Sequence, residues 1–253
     1  MKKSSGMTKK QRKFIRSLHQ KKRREQEGLF LVEGAKNVLE LLQTPRFDVA
    51  ELFATSAFQD QNAALLSEYS PVTASPNDLQ QAGTFRSNDQ ALALVRIPAE
   101  TPPPALSGLV LALDDISDPG NFGTMLRIAD WYAASAVLCS PQTVELYNPK
   151  VIAASMGSFL RINVHRLALP DYLRESPLPV WGMFMEGQSL HQATLPEELV
   201  VVIGNESHGI SAPVQKVVHQ AVTIPRFGAA ESLNAGIATA VFCDHYRRGN
   251  ALG

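Results

Sequence analysis

Between residues 109 and 224 the chain alternates short apolar runs, LVLAL, AVLC, VWGMFM, LVVVIG and AVTI, with helical stretches near 121–134, 148–157 and 211–219, and a further one follows at 232–247. Runs this short and this apolar are buried on both faces, and strands that alternate with helices pair in parallel. The pattern therefore specifies an α/β domain, a mostly parallel sheet with helices on both faces. In such a sheet ligands bind outside the carboxyl ends of the strands. Three of those ends carry unusual residues.

Upstream, PAETPPPALSG at 98–108 holds four prolines in eleven positions, which disfavours helix and interior strand and marks a linker. The division is a basic arm at 1–24, a first domain at 12–98, a link at 99–107 and a second domain at 108–253. In the first part Phe14, Ile15 and Leu18 share a helical face, Gly28 interrupts, and Leu29–Val32 reads as strand. Val38, Leu41 and Leu42 then form a helical stripe that ends at Pro45. Next come the strand-like VAELFAT, a helical stretch from Phe58 to Tyr69, a turn at Ser75-Pro76-Asn77 and the strand-like ALALVRI, together a smaller α/β unit.

Charge is distributed unevenly. Of 24 Lys and Arg, eleven lie in residues 1–24, where there is no acid, which leaves thirteen against all 24 Asp and Glu. A cationic arm on an otherwise acidic chain suits a polyanion, since each phosphate contact releases counterions. Lys13, Arg16, Lys21, Lys22, Arg23 and Arg24 are the candidate nucleic-acid contacts; a solubilising tail or an organellar transit peptide is the other reading of such a composition. No run approaches the length of a membrane span and no apolar leader opens the chain, so a soluble cytoplasmic protein is expected. Cys139 and Cys243 have no disulfide or metal spacing and read as buried fillers; no metal site is expected.

The first unusual strand end is DPGNFGTMLRIAD, 118–130. Asp118-Pro119-Gly120 makes a turn, Asn121 is positioned to cap the helix, and Phe122, Met125, Leu126 and Ala129 form its buried stripe. Arg127 lies off that stripe and leans back toward Gly123. It either pairs with a carboxylate such as Asp130 or has a chemical task of its own. The second end is VVVIGNESHGIS, in which Gly204 and Gly209 permit close backbone approach, Glu206 can orient a donor or pair with an arginine, and Ser211 can cap a helix. A plain turn explains it equally well, and His208 receives no role. The third is IPRFGAAESLNAGIA, where Glu231, Ser232 and Asn234 cluster at a helix start and the small residues after them allow tight packing. There is no G-x-x-x-x-G-K-[ST], no G-x-G-x-x-G opening a helix, no G-x-S-x-G and no H-E-x-x-H, so the common phosphate, dinucleotide, hydrolase and zinc sites are excluded.

N-x-G-x-x-x-R, I-G-N-E-x-x-G and I-P-x-x-G-x-x-x-S-L-N, in that order, resemble the SpoU (TrmH) family of RNA ribose 2′-O-methyltransferases over residues 108–247. IRSLHQKKRREQEGLFLVEG is similar to the start of the L30e-like domain that many members carry. The resemblance implies a trefoil-knotted catalytic domain, S-adenosylmethionine as cofactor, structured RNA as substrate with 23S ribosomal RNA favoured over tRNA, and a homodimer. In the dimer Arg127 of one subunit would serve the cofactor held by the other. By the same resemblance Gly182, Met183, Gly204, Asn205, Gly209, Ile224, Pro225, Leu233 and Asn234 hold the cofactor. Arg127, Asn121, Glu206, Ser232 and Asn234 would then act on the ribose hydroxyl. Ala235 and Gly236 depart from the commonest pattern and remove a hydroxyl contact. A non-catalytic RNA-binding protein on the same fold, or a nucleotide-dependent oxidoreductase on a conventional sheet, are the competing readings; cofactor binding separates them.

Overall fold

A computed structural model describes residues 6–85 and 87–250; Lys2 and Lys3 of the basic arm lie outside them. The chain divides into two compact units that are not contiguous in sequence, 1–99 with 147–160 and 100–146 with 161–253. The first begins with α1 (Lys9–Ser17), α2 (Lys21–Glu27), β1 (Leu29–Glu33), α3 (Ala35–Leu42), β2 (Val49–Ala54), α4 (Ser56–Gln61), β3 (Val72–Thr73), α5 (Pro76–Ala82) and β4 (Ala91–Arg96). Its sheet runs β1-β4-β2-β3, antiparallel except for β2 with β3.

The basic arm is folded from α1 onward. Thr8 and Gln11 form a capping box at the start of α1. Ile15 and Leu18 enter a core with Leu31, Phe53, Leu79, Leu92 and Leu94. Gly28, at φ 63°, ends α2 in the left-handed conformation and turns the chain into β1. Ser75-Pro76-Asn77, expected as a turn, instead starts α5: Ser75 caps it reciprocally with Asp78 and Pro76 takes the first helical position, where its missing N–H costs nothing.

Buried Glu33 holds the loop after α5. Its carboxylate accepts from the Thr84 amide at 2.9 and 3.0 Å, the Thr84 hydroxyl at 2.6 Å and the Phe85 amide at 3.4 Å. Truncating it removes four hydrogen bonds to an ionisable carboxylate and releases the exposed loop they hold. Glu33→Ala is therefore expected to cost about 2 kcal/mol in urea unfolding, and a loss below about 0.5 kcal/mol would contradict this.

The second unit opens with β5 (Leu109–Leu113), α6 (Pro119–Trp131) and β6 (Ala136–Cys139). The chain then contributes α7 (Pro149–Ser155) to the first unit. There Tyr147 lies 4.4 Å from the Phe30 ring and Phe159 lies 5.8 Å from Phe47. Then follow β7 (Val164–Arg166), α8 (Leu169–Arg174), β8 (Val180–Ser189), β9 (Leu199–Ile203), α9 (Ala212–Gln215), β10 (Gln220–Thr223) and α10 (Ala235–Gly249). Sequence periodicity missed β7 and α8, which are too short to establish a period.

The sheet order is β10-β8-β9-β5-β6-β7, and every neighbouring pair is parallel. Right-handed crossovers decide which face each helix covers. Going from β5 to β6 the chain moves one way along the sheet, and from β7 to β8 and β9 to β10 the other, so α8 and α9 belong on the face opposite α6. The packing agrees. Leu169 and Leu173 of α8 and Val214 of α9 join Val110, Ala112, Leu138, Val200 and Val202 in one core, whereas α6 packs on β6 and α10. β5 and β9 are neighbours whose exits run in opposite directions, and that reversal opens a crevice at their carboxyl ends.

Cys139 and Cys243 are buried, and burial pushes both thiols up to about 12, so they stay protonated. Among the described residues no helix is long and apolar enough to cross a membrane, and no cluster of potential metal ligands occurs.

Candidate active site

At the crevice Asp118, not Asn121, caps α6: its Oδ1 accepts from the Asn121 amide at 2.7 Å, with Pro119 in the first turn. Aspartate one position before the proline takes the cap and leaves the Asn121 side chain free. Its Nδ2 donates to Glu206 Oε1 at 2.7 Å, and its Oδ1 accepts from Asn234 Nδ2 at 2.9 Å. Asn234 Oδ1 in turn accepts from the amides of Gly236 and Ile237 and caps α10. Each amide must therefore point one way: a carboxylate can only accept, so Asn121 must donate to it and accept from Asn234. A single asparagine thus joins the loops after β5, β9 and β10.

The loop after β9 is built on backbone proximity. Asn205 and Gly209 exchange both main-chain hydrogen bonds, at 3.0 and 2.9 Å, with Gly209 at φ 70°. A methyl group on Gly204 would fall on the Gly209 carbonyl carbon and the Ile210 nitrogen. The Asn205 side chain donates to the Asp115 carbonyl at 2.7 Å and accepts from the Ser207 amide at 2.8 Å. Ser211 occupies the cap position of α9 without a side-chain capping bond; its amide donates instead to the buried carboxylate of Asp114 at 2.7 Å. Asp115, at φ 57°, is tied through its amide and carboxylate to the Ser140 hydroxyl. Sequence reasoning gave these two aspartates no role, although two acids closing an apolar strand were the available signal.

On the other side of β9, β10 pairs Ala221 with Gly182 and Val222 with Gln188, so residues 183–187 bulge out of the ladder. Met183 begins that bulge, and the Met185 carbonyl within it accepts from the Thr223 hydroxyl at 3.0 Å. Gly182 has no room for a side chain against Phe184, Ile210 and Val218. Ile224 and Pro225 are half-buried beyond β10, and Ser232 and Leu233 are exposed on the loop before Asn234.

Arg127 is exposed and makes no ion pair or hydrogen bond among the described residues. Asp130, the candidate partner on its own helix, is engaged by Arg161 through Nε at 2.9 Å and Nη2 at 2.8 Å. Glu206 bonds to Asn121 and not to an arginine.

In the first unit Lys13, Arg16 and Lys22 are exposed without an ion pair among the described residues, while Lys21 and Arg23 pair along α2 with Glu25 at 3.7 Å and Glu27 at 3.4 Å. Arg24 corrects an expectation. It is 1% exposed, and its Nη1 donates at 2.6 Å to the carbonyl of Leu18, where α1 ends and carbonyls lack helical partners. It serves the fold and not a surface.

The switch point between β5 and β9, where an asparagine relay joins three loops, defines a doubly wound α/β domain with its candidate site at the carboxyl ends of the strands. The chain belongs to the SpoU rRNA Methylase family, whose pattern it matches over residues 108–244. Residues 9–93 match the MRM3-like substrate binding domain. It is 31% identical, over 92% of its length and 94% of the relative's, to the 23S rRNA (guanosine(2553)-2′-O)-methyltransferase RlmP of Bacillus subtilis. Among solved structures a TrmH-family protein from Porphyromonas gingivalis superposes with a TM-score of 0.83 at 36% identity, covering 96% of this chain and 99% of that one. An AdoMet-bound rRNA methyltransferase from Sinorhizobium meliloti shares the fold at a TM-score of 0.85 and 24% identity, covering 98% of each chain.

Proposed function

We propose that this protein methylates a ribose 2′-hydroxyl of structured RNA, 23S ribosomal RNA in particular, with S-adenosylmethionine as the methyl donor, in the cytoplasm. The observation that carries this reading is the relay through Asn121, which gathers the three loops of the family pattern at one end of the sheet. The loops at these strand ends are shaped by close internal packing, with Gly204 against the backbone of Gly209 and Ile210 and Gly182 against Phe184, Ile210 and Val218, and both glycines belong to the segments assigned to the cofactor. Met183, Asn205, Gly209, Ile224, Pro225, Leu233 and Asn234 complete that assignment. S-adenosylmethionine supplies an electrophilic methyl group on a sulfonium, and the chain's own residues must align the ribose oxygen and manage one proton.

Arg127 is the group for that task. A guanidinium stays protonated in proteins, so it does not act as a base. It binds the target's phosphate and stabilises the negative charge developing on the 2′-oxygen, while the proton leaves to a phosphate oxygen or water. Asn121, Glu206, Ser232 and Asn234 orient the ribose. Arg127 has no partner among the described residues, which suits a homodimer in which it serves the other copy. Trp131 on α6 and Ile237 on α10, 84% and 53% exposed, provide apolar surface that a second copy would cover. We further assign RNA capture to residues 12–98 and catalysis to 108–253, with the C-terminal part of the latter threaded as a trefoil knot.

Incubating the protein with labelled S-adenosylmethionine and unmodified 23S rRNA tests the reading; methylation that maps to a base, or none at all, would refute it. Lys13, Arg16 and Lys22 carry the electrostatic part. Replacing all three with alanine is expected to lower the slope of log affinity against log salt by about 2, at roughly 0.7 to 0.9 for each phosphate no longer neutralised. An unchanged slope would show that they meet no phosphate.

A further inference from the structure

We propose that Phe227 is a stacking platform for a nucleobase of the bound RNA, an inference that rests on the RNA-methyltransferase reading and extends its binding surface. Phe227 is 90% exposed, more than any other large apolar side chain described. A ring that open to water gains stability when covered. Its loop starts at Pro225, directly after β10, and closes at Asn234, which caps α10 and bonds to Asn121. The ring is therefore displayed from a loop anchored at both ends to the proposed reaction centre.

The ring has an aromatic neighbour at a distance that leaves its faces open. The imidazole of His191 lies nearly parallel to it, at 21° with 6.4 Å between centroids. His191 belongs to the short turn Leu190–Gln192, which is fixed by fully buried Leu190. Across the same loop the Arg226 guanidinium donates to the Ala230 carbonyl at 3.4 Å, so the residue next to Phe227 in sequence is an exposed cation. A flat apolar ring and a cation on one loop match a base and a phosphate of the same strand. RNA read in single-stranded form is held by stacking splayed bases on aromatic rings. Phe227 is the contact in this arrangement.

The test uses the full chain and a short single-stranded RNA carrying one 2-aminopurine, whose emission is quenched on stacking. Wild type and Phe227→Tyr are expected to quench it. Phe227→Ala should lose the quenching and bind about tenfold more weakly, with S-adenosylmethionine affinity by calorimetry and sedimentation behaviour unchanged. Equal quenching and affinity in Phe227→Ala would overturn the proposal while the methyltransferase reading stands. So would RNA binding by wild type without quenching. A change of oligomeric state in Phe227→Ala would assign the ring to a subunit interface, and weakened cofactor binding would assign it to the cofactor; either outcome overturns the stack. Wild type that does not bind the single-stranded probe would overturn the stack, while the methyltransferase reading stands or falls on methylation of 23S rRNA.

Discussion

Replacing Arg127 with alanine is expected to slow methyl transfer about a thousandfold while S-adenosylmethionine affinity stays unchanged, because removing one donor that stabilises a developing oxyanion costs on the order of a hundred- to a thousandfold. The fold should not suffer. Arg127 is exposed and bonded to nothing among the described residues, so its loss leaves no buried group without a partner. A thermal midpoint within about 2 °C of wild type, together with the reduced rate, distinguishes a chemical role from a structural one. Arg127→Lys separates two versions of that role. If arginine only binds and stabilises, lysine should retain part of the rate, and the dependence on pH should follow wild type. A rate that stays flat from about pH 7 to 10 in Arg127→Lys while wild type rises would instead favour arginine as the base.

The second large effect is expected at Gly204. An alanine there drives its methyl into the backbone of Gly209 and Ile210, which cannot yield as a flexible side chain can. The loop must open, breaking the paired hydrogen bonds between Asn205 and Gly209 and disturbing Asn205 on the Asp115 carbonyl. Overpacking of this kind costs about 3 kcal/mol, near 6 to 12 °C in thermal midpoint for a chain of this size. Calorimetry with S-adenosylmethionine should detect no binding at concentrations that saturate wild type. An alanine variant with native stability and affinity would show that close approach at this glycine is not what the site requires.

Much of the second unit was legible in the sequence because its information is local. Apolar runs such as LVVVI are strands whatever surrounds them, and each candidate loop is a continuous string, so Gly204, Asn205 and Glu206 arrive together. What could not be read depends on partners distant in sequence. Asn121 and Asp118 are both good caps, and only the presence of Glu206 and Asn234 shows which one is left free for the relay. Arg24 reads as one more cation in a basic run until the carbonyl of Leu18 is seen to need a donor. The pairing of Asp114 with the Ser211 amide spans the whole stretch from β5 to α9, and no period or motif encodes it. Val164–Arg166 lies at the sheet edge, too short to announce itself.

The loan of residues 147–160 has a consequence for modular exchange. The proline-rich link looks like a seam along which an N-terminal module could be traded for another with different RNA preferences. A chain begun at residue 108 would nevertheless carry α7, Tyr147 and Phe159 away from the Phe30 and Phe47 rings they pack against, and would expose that aromatic cluster to water. Grafting a foreign module would require it to rebuild the same pocket, so the specificity of this enzyme can diverge more readily by drift of surface residues than by wholesale replacement of its first third.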